Sequence, residues 1–84
     1  MVYYLITCRS LTYAQKAARA LERAGITAAI VRTPKGLSRE GCSYCVKVSE
    51  RRGSTALGIL RETETRISRV FIQYPTGEMR EVSL

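Results

Sequence analysis

The chain has 84 residues, with 14 lysine and arginine side chains against 7 acidic ones and a formal net charge of +7. All seven acids are glutamate and histidine is absent, which excludes His-dependent triads, His-containing zinc sites, EF-hands and aspartate dyads within this chain. A chain of this length buries only about 60–65% of the surface that its unfolded form exposes, which predicts one small domain, 1–84, with a simple two-layer fold. The remaining chemistry lies in three cysteines and eleven arginines, and it favours thiol chemistry, anion binding or plain interaction.

In chain order, hydrophobic periodicity and turn residues predict alternating strands and helices. The predicted elements are a strand at 2–8, a helix at 11–24, a strand at 26–32, a loop at 33–42, a strand at 43–48, a helix at 51–62, a strand at 69–74 and a strand at 79–83. The first strand is apolar on both faces, which is typical of a central strand. Ser10 or Thr12 offers an N-cap for the first helix, and Ala24-Gly25 ends it as a glycine C-cap does.

This order, βαββαβ with an appended strand, predicts an α+β, ferredoxin-like two-layer sandwich with an extra C-terminal hairpin strand. The right-handed crossover rule makes strands one and two parallel, with strand three between them and antiparallel to both. The loop 33–42, the end of the first strand and the start of the first helix then meet at one end of the sheet.

Cys42 and Cys45 form a C-x-x-C pair where the loop meets the third strand. Residues three apart in a regular strand point to opposite faces, so a disulfide forms only if Cys42 curls back through the loop. Cys42 is also expected near the N-terminus of the first helix, where free N–H groups favour anions. We therefore predict a reactive Cys42 thiolate, with Cys45 as a candidate resolving thiol. The groups expected to stabilise the anion are Arg9, Ser10, Arg32, Lys35, Arg39 and Gly41.

Plainer roles for the cysteines stay open. Cys8 shares a strand face with Tyr4 and Ile6, and Cys45 alternates with valines, so both fit small packing residues. All three cysteines could approach one end of the sheet, but structural zinc takes four ligands and the chain has three cysteines and no histidine. We therefore expect no metal and no cofactor, unless a dimer shares the site.

The basic surface supports an alternative function. Arginine makes bidentate contacts with phosphate, so the chain could be a basic ferredoxin-like module that binds nucleic acid or another polyanion, with structural cysteines. The third strand, CSYCVKV, lacks the paired stacking aromatics of an RRM. A solvated basic surface therefore accounts for the charge as well, and nucleic acid is the less favoured partner.

Strand one leaves an apolar face that no helix of a two-layer domain would cover. This favours a homodimer or another partner contact there, unless sheet twist and long arginine stems cover the face.

Three features indicate the cytoplasm. Residues 1–10 lack the basic n-region and cleavage-like site of a signal peptide. No apolar run approaches the roughly 20 residues that span a bilayer, so we expect no membrane contact. Three cysteines, two of them three residues apart, make a poor disulfide framework and fit a reducing compartment.

The segments YYLITCRSLTYAQKAARALERAGI, VRTPKGLSREGC and SYCVKV resemble the small, mostly bacterial proteins of the Se/S carrier-like family, from Tyr4 to about Phe71. The most specific part of the resemblance is Thr33, Pro34, Ser38, Gly41 and Cys42. The resemblance implies that Cys42 carries persulfide or selenium between donor and acceptor proteins, as a relay rather than as a stand-alone enzyme. The C-terminal hairpin QYPTGEMREV extends past the usual end of the family.

Overall fold

The computed structural model describes residues 1–34, 37 and 44–82. These residues form five strands and two helices, namely β1 (Tyr3–Cys8), α1 (Leu11–Arg23), β2 (Ala29–Arg32), β3 (Tyr44–Ser49), α2 (Glu50–Glu62), β4 (Val70–Gln73) and β5 (Met79–Val82). The predicted α+β class is confirmed, and the ferredoxin-like assignment stays a prediction. Most of the predicted loop 33–42 lies outside the described residues.

One antiparallel sheet joins the strands in the order β2-β3-β1-β4-β5. On one edge β1 pairs with β3, from Tyr3 opposite Ser49 to Cys8 opposite Tyr44, and on its other edge it pairs with β4. β2 runs antiparallel to β3, and β5 runs antiparallel to β4. β1 and β2 are therefore parallel with β3 between them, and the last residue of β1 lies beside the first residue of β3.

The helices cover one face of this sheet, and the face without helices is called the open face below. The buried cluster under the helices consists of Ile6, Cys8, Ala14, Ala17, Leu21, Ile26, Val46, Val48, Ala56, Leu60 and Val70. The smaller cluster on the open face consists of Leu5, Cys45 and Phe71, with Val31, Leu37 and Met79 packed against them. Alternate side chains of β1 contribute to both clusters, as expected for a central strand.

Strand β2 begins at Ala29, so the predicted start at residue 26 is wrong. Gly25 adopts a φ of 83°, and its N–H donates to the carbonyl of Glu22 at 3.0 Å. The N–H of Ile26 donates to the carbonyl of Leu21 at 2.9 Å. This pair of bonds is a Schellman closure, which uses Ile26 to end α1 before the chain can join the sheet. Where the predicted end is a described residue, each of the others matches the observed end or differs from it by one residue.

Helix α2 approaches β1 closely at Gly53. A β-carbon on Gly53 would lie 2.7 Å from carbons of the Tyr4 ring, whereas a β-carbon on Gly58 would have no atom within 4 Å. The Tyr4 ring therefore packs directly on the helix backbone, and only glycine permits this distance between α2 and the sheet.

Gly53→Ala is expected to lower the free energy of unfolding by about 1–3 kcal/mol, because the added methyl group overlaps the Tyr4 ring. Gly58→Ala is the matched control in the same helix, and loss of a helical glycine in open space should raise the free energy of unfolding by about 0.5–1 kcal/mol. Urea unfolding followed by circular dichroism measures both variants. Equal stability of the two would contradict the close packing of α2 on β1.

Candidate functional site

The predicted site residues divide into two groups. Those that lie outside the described residues are Lys35, Arg39, Gly41 and Cys42, whose roles stay predictions. Those that the structure describes are Arg9, Ser10, Arg32 and Cys45. The structure brings the first three of these to one end of the sheet, whereas the Cys45 side chain is buried on the open face.

Ser10 begins helix α1 immediately after β1. Its backbone is extended, with φ −148° and ψ 167°, and its Oγ accepts a hydrogen bond from the N–H of Tyr13 at 3.3 Å. Ser10 is therefore the N-cap, one of the two candidates, Ser10 and Thr12, that the sequence offers. The exposed residue Arg9 precedes it, so a cation stands next to the positive end of the helix dipole. Both features favour an anion at this end of the sheet.

The first residue of β3, Tyr44, lies between two other strand ends. Its Cα partners are Cys8, which ends β1, and Arg32, which ends β2. The Arg32 guanidinium carbon lies 5.8 Å from the centre of the Tyr44 ring. The chain between Arg32 and Tyr44, which includes Cys42, therefore leaves and rejoins the sheet at the end where Arg9 and Ser10 lie.

Cys45 sits in an apolar setting on the open face. Cys45 is 0% exposed, and the residues opposite it on the neighbouring strands are Thr7 of β1 and Val31 of β2. Burial raises the pKa of the Cys45 thiol, while the neighbouring Thr33 hydroxyl and the Lys47 charge oppose that shift more weakly. The Thr33 hydroxyl is itself buried without a well-formed hydrogen bond to any described residue. The Cys45 thiol is therefore protonated at neutral pH and shielded from solvent.

Cys8 lies on the opposite face of the sheet, in the cluster under the helices. It is 0% exposed, and its Sγ lies 3.7 Å from the carbonyl oxygen of Ile6. The predicted packing role of Cys8 is confirmed. Because Cys8 and Cys45 belong to opposite faces, they do not converge on one point, and the described residues contain no group of three cysteine or glutamate side chains placed to hold a metal ion.

The open face is not the uncovered apolar surface that the sequence led us to expect. Leu5 is 1% exposed and Phe71 is 4% exposed. The guanidinium of Arg69 lies 4.9 Å from the centre of the Phe71 ring, and the ammonium of Lys47 lies 4.1 Å from that of Tyr3. These two long cationic side chains cover part of the face, as the alternative in the sequence analysis proposed, and Val31, Leu37 and Met79 pack against its buried cluster. The described residues therefore do not form the uncovered apolar face from which the sequence analysis inferred a homodimer.

Sequence reasoning missed the residues that stand beside Arg9 in three dimensions. Arg9 shares a cavity with Tyr13 of α1 and with the segment Arg66–Arg69 that leads into β4. The available signal was two arginines three positions apart, of which Arg69 begins the predicted strand at 69–74 and Arg66 precedes it. Only the pairing of β4 with β1 brings that segment to Arg9.

These features define a small α+β protein with buried thiols on both faces of its sheet and a third cysteine in the chain that joins two strands at a basic end. Residues 3–72 match the model of the family described as "Putative Se/S carrier protein-like", and the chain belongs to this family. The resemblance stated from the sequence is thereby confirmed. A comparison with curated proteins gives no match. Neither α1 nor α2 is long and apolar enough to cross a membrane.

In a Cys42→Ser variant, the two remaining thiols are expected to react with iodoacetamide at least about 100-fold more slowly than in urea, because alkylation of a buried thiol requires local opening. Peptide mass spectrometry over a time course assigns the label to Cys8 or Cys45. Labelling of either residue in the folded variant at the rate seen in urea would contradict their burial.

Proposed function

We propose that the protein carries sulfur or selenium on Cys42 and relays it between a donor and an acceptor protein in the cytoplasm. The observation that carries this proposal is membership of the Se/S carrier family over residues 3–72, a range that includes Cys42 and the whole chain between β2 and β3. We extend the family's name to a mechanism on the residues of this chain, and we assign the fold to the ferredoxin-like arrangement as part of the same proposal.

The environment of the strand ends supports an anionic sulfur there. Arg9 and Arg32 are exposed cations at the ends of the two strands that flank the first residue of β3, since Arg9 follows β1 and Arg32 ends β2. The α1 N-terminus adds its backbone dipole beside Arg9. A thiolate or persulfide anion is stabilised by nearby positive charge, and the sequence supplies two further cations, Lys35 and Arg39, in the same connection.

The burial of the other two cysteines supports Cys42 as the carrier. Cys8 and Cys45 are both 0% exposed, so an incoming protein thiolate has no path to either sulfur while the sheet stays intact. The resolving role of Cys45 stays a prediction. Since a disulfide needs β-carbons about 3.5–4.5 Å apart, that role would require a loop conformation that brings Cys42 to the covered open face.

The proposed relay consists of two exchange steps that balance without an oxidant or a reductant. The Cys42 thiolate attacks the outer sulfur of a persulfide on a donor such as a cysteine desulfurase, forming a sulfur–sulfur bond while the donor's own sulfur–sulfur bond breaks and its cysteine leaves as a thiolate. An acceptor thiolate then attacks the outer sulfur on Cys42, and Cys42 leaves as a thiolate. With an outer selenium atom the bonds and electrons move in the same way.

Incubation of the protein with a cysteine desulfurase and cysteine is expected to add the mass of one or more sulfur atoms, because Cys42 accepts the persulfide sulfur. Intact mass spectrometry measures the adduct, which a reductant should remove. Cys42→Ser should lose it, and Cys8→Ala, the matched control in the core, should keep it.

An adduct on Cys42→Ser, or none on the parent protein, would sink the carrier proposal. An unmodified parent that binds an oligonucleotide with a steep dependence on salt concentration would favour the polyanion-binding module instead.

A further inference from the structure

A cavity of about 290 Å³ opens at the end of the sheet, between the N-terminus of α1 and the segment Arg66–Arg69. Its lining residues are Arg9, Tyr13, Arg66, Ile67, Ser68 and Arg69. Backbone bonds hold the segment to β1, since the N–H of Thr7 donates to the carbonyl of Arg69 at 2.8 Å and the N–H of Ser68 donates to the carbonyl of Thr7 at 2.8 Å. Backbone hydrogen bonds therefore hold this side of the cavity, the segment Arg66–Arg69, to the central strand β1.

Positive charge at this cavity exceeds negative charge. Three of the six lining residues are arginine and none is acidic. Arg69 is held by Glu81, with nitrogen–oxygen distances of 2.6 and 3.0 Å. Arg9 and Arg66 form no ion pair with any residue in 1–34, 37 or 44–82. Two guanidinium groups at one opening therefore have no ion-pair partner among the residues that the structure describes.

The rest of the lining is partly apolar. Tyr13 and Ile67 are half-buried and pack against the cluster under the helices. Small-molecule sites typically measure about 300–1,000 Å³ and combine an apolar wall with a few convergent polar groups. A cavity of about 290 Å³ lies at the lower limit of this range, so it fits a small anion with a short organic part.

We propose that this cavity binds a small organic phosphate monoester. A guanidinium presents a planar fork of donors that matches phosphate oxygens, and the two charges of Arg9 and Arg66 match those of a phosphate dianion. The ring of Tyr13 and the side chain of Ile67 contact the organic part. The inference stands on the cavity and does not depend on the proposed carrier function, because neither Cys42 nor the connection between β2 and β3 belongs to the lining residues described above.

Titration with phenyl phosphate, followed by calorimetry and by amide chemical shifts, tests this site. The parent protein should bind one equivalent with saturation, more tightly than it binds inorganic phosphate, and should shift resonances of residues 9–13 and 66–69. The variant Arg9→Gln/Arg66→Gln should lose at least about tenfold in affinity, because two charge-assisted contacts disappear. The matched control is Arg51→Gln/Arg52→Gln, which removes the same charge at the start of α2, where the N–H of Glu50 meets the carbonyl of Val2 at the opposite end of β1.

Two results of these titrations would overturn the proposed phosphate site. If the control variant loses as much affinity for phenyl phosphate as Arg9→Gln/Arg66→Gln does, the loss reflects net charge alone and the proposal is overturned. Binding of a single-stranded oligonucleotide without terminal phosphates in place of phenyl phosphate would assign the surface to nucleic acid and would also overturn it. Cys42→Ser should bind phenyl phosphate as the parent does, so failure of the carrier proposal and failure of this one are separable.

Discussion

Strand β1 hydrogen-bonds to β3 on one edge and to β4 on the other, and its side chains enter the clusters on both faces of the sheet. The fully buried Thr7 extends this pairing toward the end of the strand. Its hydroxyl donates to the carbonyl of Arg69 at 3.1 Å and accepts from the N–H of the same residue at 2.8 Å. Because a buried polar group without a partner is costly, the start of β4 is held to β1 at this point. Arg9, the α1 N-terminus and the segment before β4 consequently meet at one end of the sheet.

The thin core of a chain this short explains the packing on the two faces. Under the helices, small residues permit close approach, with alanines along α1 and Gly53 of α2 against the Tyr4 ring. On the open face, Arg69 and Lys47 lie over aromatic rings and close a surface that no helix covers. Cys45 is buried on this face in a cluster with Leu5 and Phe71, and this burial raises the pKa of its thiol. Two of the three cysteines are thus buried, and the proposed thiol exchange is assigned to the third, Cys42.

Local patterns were sufficient for the α+β class, for the two helices and for the order of the strands along the chain. The predicted start of β2 was wrong because the pattern of polar and apolar residues does not show that the N–H of Ile26 donates a hydrogen bond to the carbonyl of Leu21 in α1. The sequence left the burial of Leu5 open, because Leu5 packs in a cluster with Leu37, Phe71 and Met79, which are distant from it in sequence. The position of Arg66 beside Arg9 was also missed, because only the pairing of β4 with β1 brings these two residues to the same cavity. The Ser10 cap was predictable because it is a local interaction, whereas the role of Cys42 stays a prediction.

The central claim is that positive charge at this end of the sheet keeps Cys42 in its thiolate form. The alkylation rate of Cys42 as a function of pH, read by peptide mass spectrometry in the parent and in Arg9→Gln/Arg32→Gln, tests it most directly. The account predicts a half-maximal rate below pH 8.5, which is about the usual value for a free cysteine, and an upward move of that midpoint in the variant. A midpoint at or above that value, or one that the two substitutions leave unchanged, would contradict the account.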